Sequence, residues 1–187
     1  MLTLKKFGVL GVVIFALSAI SVANASAAQF TASATGSLVG KQLETQVFTF
    51  NGGQLKCSTA ETAGPISKTA DTQLHMTVSL KVCLFNGFLT VHVSPITFTI
   101  TSNFKFHLDN TITINVTGGG CSLSLAPQTV GSVGFANNGS KMRMVPNVSG
   151  ITYTATGGIC GSSGTNGTYT GANEYERVGG GSLSFDP

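Results

Sequence analysis

Four cysteines, three histidines and one closely spaced pair of glutamates are the residues of this 187-residue chain whose types could do chemistry. In the stretch GGGCSLSLAP, residues 118–127, Cys121 is in phase with Leu123 and Leu125, so on a strand its sulfur points toward a core. A nucleophilic thiol needs exposure and an electropositive neighbour, and this one has neither in its surroundings. An even number of cysteines in an exported chain reads first as disulfides. Cys57, Cys83, Cys121 and Cys160 allow three pairings; Cys57–Cys83 with Cys121–Cys160 is favoured because each joins segments close enough to be neighbouring strands. The pairing with longer loops gains slightly more chain entropy, so strand adjacency rather than entropy decides.

His75, His92 and His107 all fall on the polar phase of strand-like runs and should face outward. Their spacing matches no zinc motif, so no metal or other cofactor is expected. Glu174 and Glu176 flank Tyr175 and share a strand face about 7 Å apart, a separation that admits acid–base work on a glycoside. Sugar sites stack their substrate on aromatic rings, however, and the chain has no tryptophan. No Gly-x-Ser-x-Gly elbow is present. The candidate catalytic groups are therefore read as surface residues. The catalytic alternative is a hydrolase whose site is assembled from distant strands.

The elements that must carry these residues show a period of two. Even positions are apolar from Leu74 to Val82, and the same alternation recurs at Ile96–Ile100, Phe104–Leu108, Ile112–Val116, Met142–Met144 and Ile151–Ala155. Asn51-Gly52-Gly53, Asn86-Gly87, Asp109-Asn110, Gly118–Gly120, Asn137–Gly139 and Asn166-Gly167 punctuate the runs as turns. The expected fold is all-β: a single antiparallel sandwich, immunoglobulin-like or jelly-roll-like, favoured over a closed barrel and stapled by two disulfides. If the protein binds a ligand through its loops, Leu84–Phe88 is the first candidate, with Phe85 and Phe88 flanking Asn86-Gly87.

The start of the chain is different in kind. Lys5 and Lys6 precede an uncharged run from Phe7 to Val22, followed by small-x-small sites ending at Ala25 and Ala27. That is the layout of a cleaved secretory signal peptide, and the apolar run falls short of the roughly 20 residues of a membrane span. The expected division is a leader over residues 1–27 and one domain over residues 28–187, with membrane contact only through the leader before cleavage. Without Lys5 and Lys6, eight basic residues face seven acidic ones, and the net charge falls from +3 to +1. That balance offers no electrostatic grip on nucleic acid.

The cysteine-bearing stretches resemble those of secreted β-rich proteins, without assigned activity, that occur as multiple paralogues in soil actinobacteria. The likeness rests on VFTFNGGQLKCSTAETAG, SLKVC, GGGCSLSLAPQ and VSGITYTATGGICGSSGTNGTYTG. It implies a bacterial origin, a location outside the cell or on the exterior of its envelope, and a β-rich fold. Relatives carry a further cysteine pair near Phe98–His107, which implies that the cysteines pair locally. The expected role is a non-enzymatic binding or envelope module whose partner is an extracellular ligand or an envelope component.

Overall fold

Alternation becomes a closed wall in the computed structural model, which describes residues 27–187. Ala27 apart, the expected leader and its Ala25 cleavage site lie outside the described residues. Thirteen strands are present: β1 (Gln29–Ala32), β2 (Gly36–Phe50), β3 (Gly53–Ile66), β4 (Gln73–Phe85), β5 (Leu89–Val93), β6 (Ile96–Thr101), β7 (Lys105–Leu108), β8 (Ile112–Val116), β9 (Cys121–Leu125), β10 (Gln128–Asn138), β11 (Lys141–Thr156), β12 (Gly164–Arg177) and β13 (Leu183–Asp186). Among the described residues, one 3-10 turn, Gly158–Cys160, interrupts them. The fold is all-β and contains two disulfides, Cys57–Cys83 and Cys121–Cys160.

The pairing corrects the expected sandwich. A sandwich has two sheets with free edges, whereas here β12 pairs with β2, and β10 pairs with β7 on one side and β11 on the other. Every pairing is antiparallel, and the ring closes as an eight-strand barrel in any cross-section. The strand order also explains why the chain reads as many short runs. β5 and β6 lie in one unbroken register along β4, Cys83 facing Val91 and Val78 facing Ile96. They are two halves of a single stave broken at Ser94-Pro95. β7 with β8, and β9 with β10, are likewise split staves, interrupted at Asp109–Thr111 and Ala126-Pro127. The barrel is thus an up-and-down meander of five continuous staves and three broken ones.

All three breaks fall at the same level, and this waist divides the barrel into halves. Proline removes a ladder donor, and Pro95 and Pro127 stand at two of the three breaks. Side chains mend the gaps. Asn110 Oδ1 accepts from Thr97 N at 2.8 Å and Oγ1 at 2.9 Å, while its Nδ2 donates to Pro95 O at 3.0 Å. Gln128 closes the next gap, accepting from Thr152 N and donating to Thr152 O, both at 2.8 Å.

The waist also resets which residues face inward. Leu74, Met76 and Val78 are buried at even positions of β4, but Cys83 and Phe85 are buried at odd ones. Val82, which simple alternation places inside, has φ 51° and is 69% exposed. This left-handed residue turns the strand by one position. β11 resets in the same way at Gly150, with φ 76°, between buried Val148 and Ile151.

Both ends are plugged. At one, β1 and β13 pair as a two-stranded cap whose Phe30 and Phe185 pack with Phe135 at centroid distances of 5.1 and 4.8 Å. Asn137 holds the cap through both backbone groups of Phe185. At the other, Phe48, Phe50, Phe85 and Tyr153 cluster beneath the hairpins, and Cys121–Cys160 ties the 3-10 turn to the β8–β9 hairpin. The glycines of the 118–120 run are that hairpin's turn, with positive φ at Gly118 and Gly120.

Two consequences can be measured. In the loop-entropy relation the disulfides contribute about 3.5 kcal/mol for Cys57–Cys83 and about 4 kcal/mol for Cys121–Cys160. Reduction should lower the urea midpoint accordingly, and thiol titration of the denatured, unreduced protein should find no free thiol; two or more would contradict the pairing. Asn110→Ala should cost about 2 kcal/mol in urea denaturation and speed amide exchange at Thr97. Unchanged stability would show that the waist does not depend on this side chain.

Candidate functional site

Behind the waist the inner wall does not quite meet itself. The residues that flank the breaks, Val93 and Ile96, Leu108 and Ile112, Leu125 and Val130, line an internal cavity of about 60 Å³. The rest of its lining, from broken and continuous staves alike, is apolar, except on one side, where Thr62, Tyr169, Asn173 and Tyr175 converge. These four stand on β3 and β12, either side of β2. In ring order β2 is diametrically opposite the broken stave β7–β8, so the polar groups face the waist breaks across the cavity.

One cross-strand row builds the polar side. Tyr175, Gly40 and Thr62 are register partners on β12, β2 and β3. A side chain at Gly40 would lie 2.7 Å from the Tyr175 ring and 2.9 Å from Thr62 Cβ. The glycine lets both side chains close over it and brings their hydroxyls to the same place. Tyr175 Oη and Thr62 Oγ1 are close enough for Thr62 to act on the phenol as a hydrogen-bonding neighbour, yet the contact falls short of full hydrogen-bond geometry, and neither buried oxygen is satisfied. Burial is the main cause that pushes the Tyr175 phenol up, reinforced by nearby Tyr169, while the adjoining Thr62 hydroxyl draws it slightly back. Burial also raises Tyr169. Both phenols therefore remain protonated donors.

The neighbouring polar groups are already engaged. Tyr169 Oη donates to Gln46 Oε1. Gln46, itself buried, donates to Glu44 O at 3.0 Å and to Asn173 Oδ1 at 3.4 Å. The open hydrogen-bonding capacity of the polar side lies with Tyr175 and Thr62, where an unsatisfied buried hydroxyl costs about 1–3 kcal/mol.

The residues singled out in the sequence lie elsewhere. Two histidines do come together, on the outer wall: Thr99 Oγ1 is 2.8 Å from His75 Nδ1 and 2.9 Å from Asp109 Oδ2, and His107 Nε2 is 3.8 Å from Asp109 Oδ1. His107 Nδ1 is 2.8 Å from Thr129 Oγ1. His75, Thr99, His107 and Thr129 form one outward row across four strands. In a hydrolytic array the imidazole stands between nucleophile and carboxylate. Here the Thr99 hydroxyl stands between the His75 imidazole and Asp109, so His75 cannot relay its proton there. His107 does stand between the Thr129 hydroxyl and Asp109, but at 3.8 Å the carboxylate is beyond hydrogen-bond reach of Nε2 and does not orient the ring. His92 lies on β5 opposite Asn115, away from the other two. Among the described residues, no three His, Cys, Asp or Glu side chains are placed to hold a metal ion.

Glu174 and Glu176 face outward and share Lys141 at 3.2 and 2.8 Å. Hydrogen bonds from Asn138 and Lys141 hold the Glu174 carboxyl below its ordinary value of 4.5. A general acid needs the opposite shift. In the Leu84–Phe88 turn Phe85 is core, and Phe88 is exposed at 72%.

The polar side of the cavity escaped sequence reading, yet it left a trace. Alternation puts Tyr169, Asn173 and Tyr175 on one face of β12, and an asparagine in phase with two inward tyrosines signals a buried polar group. Nothing local pointed to Thr62.

Comparisons with protein-family models, curated proteins and solved structures find no match to the chain.

The Glu174 shift predicts an acid-range effect. Because its folded value is depressed, its contribution to stability is present above the ordinary carboxylate range and is lost as pH falls through the folded value. Thermal denaturation at stepped pH should show the gap between wild type and Glu174→Gln closing as the medium is acidified below that range. A gap independent of pH would mean that the Lys141 and Asn138 contacts do not favour the ionised carboxylate.

Proposed function

We propose that this chain is an exported, non-enzymatic binding protein, and that the barrel interior is its binding compartment. The observation that carries the reading is the cavity inside the waist, apolar on most sides and polar on one. Ligand sites have this make-up: a hydrophobic lining with a few converging polar groups. An eight-stranded barrel has an interior that side chains can just fill or that can hold one small ligand. A void of about 60 Å³ forgoes about 1.4 kcal/mol at roughly 24 cal/mol per Å³, a cost that an occupant offsets. An envelope module serving only as structure gains nothing from it.

Export is supported by the leader-like residues 1–27 and by disulfides suited to an oxidising compartment. Among the described residues no helix is long and apolar enough to cross a membrane. The outer wall displays polar side chains such as Lys41, His75, Asn115, Arg143 and Thr152, where a lipid-facing barrel carries an apolar band. The hydrolase alternative gains no support, because the histidines and glutamates meet threonine and lysine on the outer wall instead of lining the cavity.

Xenon dissolved in a sample of the oxidised protein should shift amide resonances at lining residues such as Val93, Leu108 and Val148, and leave the outer wall unmoved. Val93→Phe, which fills the cavity from its waist edge, should abolish those shifts while the fold persists. Xenon shifts scattered over the surface, or none, would defeat the reading.

A further inference from the structure

Resting on the interior as a binding compartment, the structure assigns its ligand a chemical class: we infer a small, neutral, mostly apolar molecule bearing one alcohol or carbonyl oxygen, held by Tyr175 Oη and Thr62 Oγ1. These are the buried oxygen atoms of the lining that have no partner. They adjoin one another over Gly40, so they address one point and not two ends of a long polar molecule. A protonated phenol donates, and a threonine hydroxyl donates or accepts, so the pair can satisfy either a carbonyl or an alcohol oxygen.

Charge is excluded by what surrounds the cavity. No Lys, Arg, His, Asp or Glu lines it. Of the charged groups nearby on these strands, Lys41, Glu44, Glu61, Glu174 and Glu176 are on outward positions, paired with Arg143, Lys81 or Lys141 or open to solvent, and Arg177, in phase with Tyr175, turns its guanidinium to Ser33 and Gly180 at the barrel end. A carboxylate or ammonium inside would be a buried ion without a partner, and its desolvation would exceed what two neutral hydroxyls return.

Size narrows the class further. At about 10–15 Å³ of such space per water-sized group, a cavity of about 60 Å³ accommodates some four to six heavy atoms. Short-chain alcohols and ketones fit; a fatty acid or a sugar ring with several hydroxyls does not. The waist supplies the way in. There the wall is joined by the side chains of Asn110 and Gln128 in place of a continuous backbone ladder, directly over the cavity.

The test compares three probes of similar size, n-pentane, 1-butanol and butyrate, titrated into the oxidised protein and followed by amide shifts at the lining residues. Butanol should bind, butyrate should not, and Tyr175→Phe or Thr62→Val should each weaken butanol about tenfold while leaving pentane binding unchanged. Both substitutions keep the shape of the site, and thermal denaturation confirms that the variants fold. If pentane binds and butanol is indifferent to both substitutions, or if butyrate binds as well as butanol, the assigned class is wrong while the compartment stands. If neither pentane nor butanol binds, the site holds ordered water only, and both the class and the compartment reading fall.

Discussion

The ladder that joins β12 to β2 is the constraint on which the rest of the structure depends. It runs from Thr168 against Thr49 to Arg177 against Leu38, and it pairs the last stave of the meander with the first. Once that closure forms, every stave has two neighbours, and the split between inside and outside becomes absolute. An open sheet could expose one flank of Gln46 or Tyr169 to water. In the closed wall their polar atoms must be matched internally, and most are, through Glu44, Ala172 and Asn173. The closure also brings Tyr175, from the far end of the chain, over Gly40 and onto Thr62 of the first hairpin.

The waist follows from the length of the staves. β2, β3, β4, β11 and β12 run 13 to 16 residues, long for twisted strands. A barrel of that height relieves its twist by breaking phase, and it does so at one level: Val82 in β4, Gly150 in β11, and the three interruptions in the staves between them. Bulges of this kind bend a strand and loosen its ladder. Concentrated in one ring, they leave a belt where inward side chains from the two halves do not interdigitate. The cavity is that belt seen from inside.

Much of this was legible in the sequence, and the failures have definite causes. The cysteine pairing was readable because Cys57 and Cys83 face each other across one hairpin-linked strand pair, and Cys121 and Cys160 sit at adjoining hairpin ends. Val82 was misplaced because alternation cannot register a left-handed residue, and a valine there gives no warning as glycine would. The sandwich was preferred to a barrel because inward–outward alternation is the same in both, and the ladders that distinguish them, β12–β2 above all, are nonlocal. The split staves hid the meander, since Asp109-Asn110 reads as a turn when it is a break in a continuing strand. His75 and His107 were rightly placed outside. Their meeting through Thr99 and Asp109 depends on a three-strand register that no local pattern carries.

The two sides of the cavity divide the work of binding between them. The polar groups stand on β3 and β12, either side of β2, uninterrupted staves whose ladders and Gly40 fix the two hydroxyls in place. The facing side is made of broken staves held together by amide side chains. Recognition needs the first property, because a hydrogen bond discriminates only when its donor cannot drift to another partner. Exchange with solvent needs the second, because a barrel plugged by aromatic clusters at both ends admits nothing along its axis. A side-chain amide can swing away from a backbone partner without unzipping a strand, so opening at Asn110 or Gln128 costs a few hydrogen bonds and leaves the closure at β12–β2 intact.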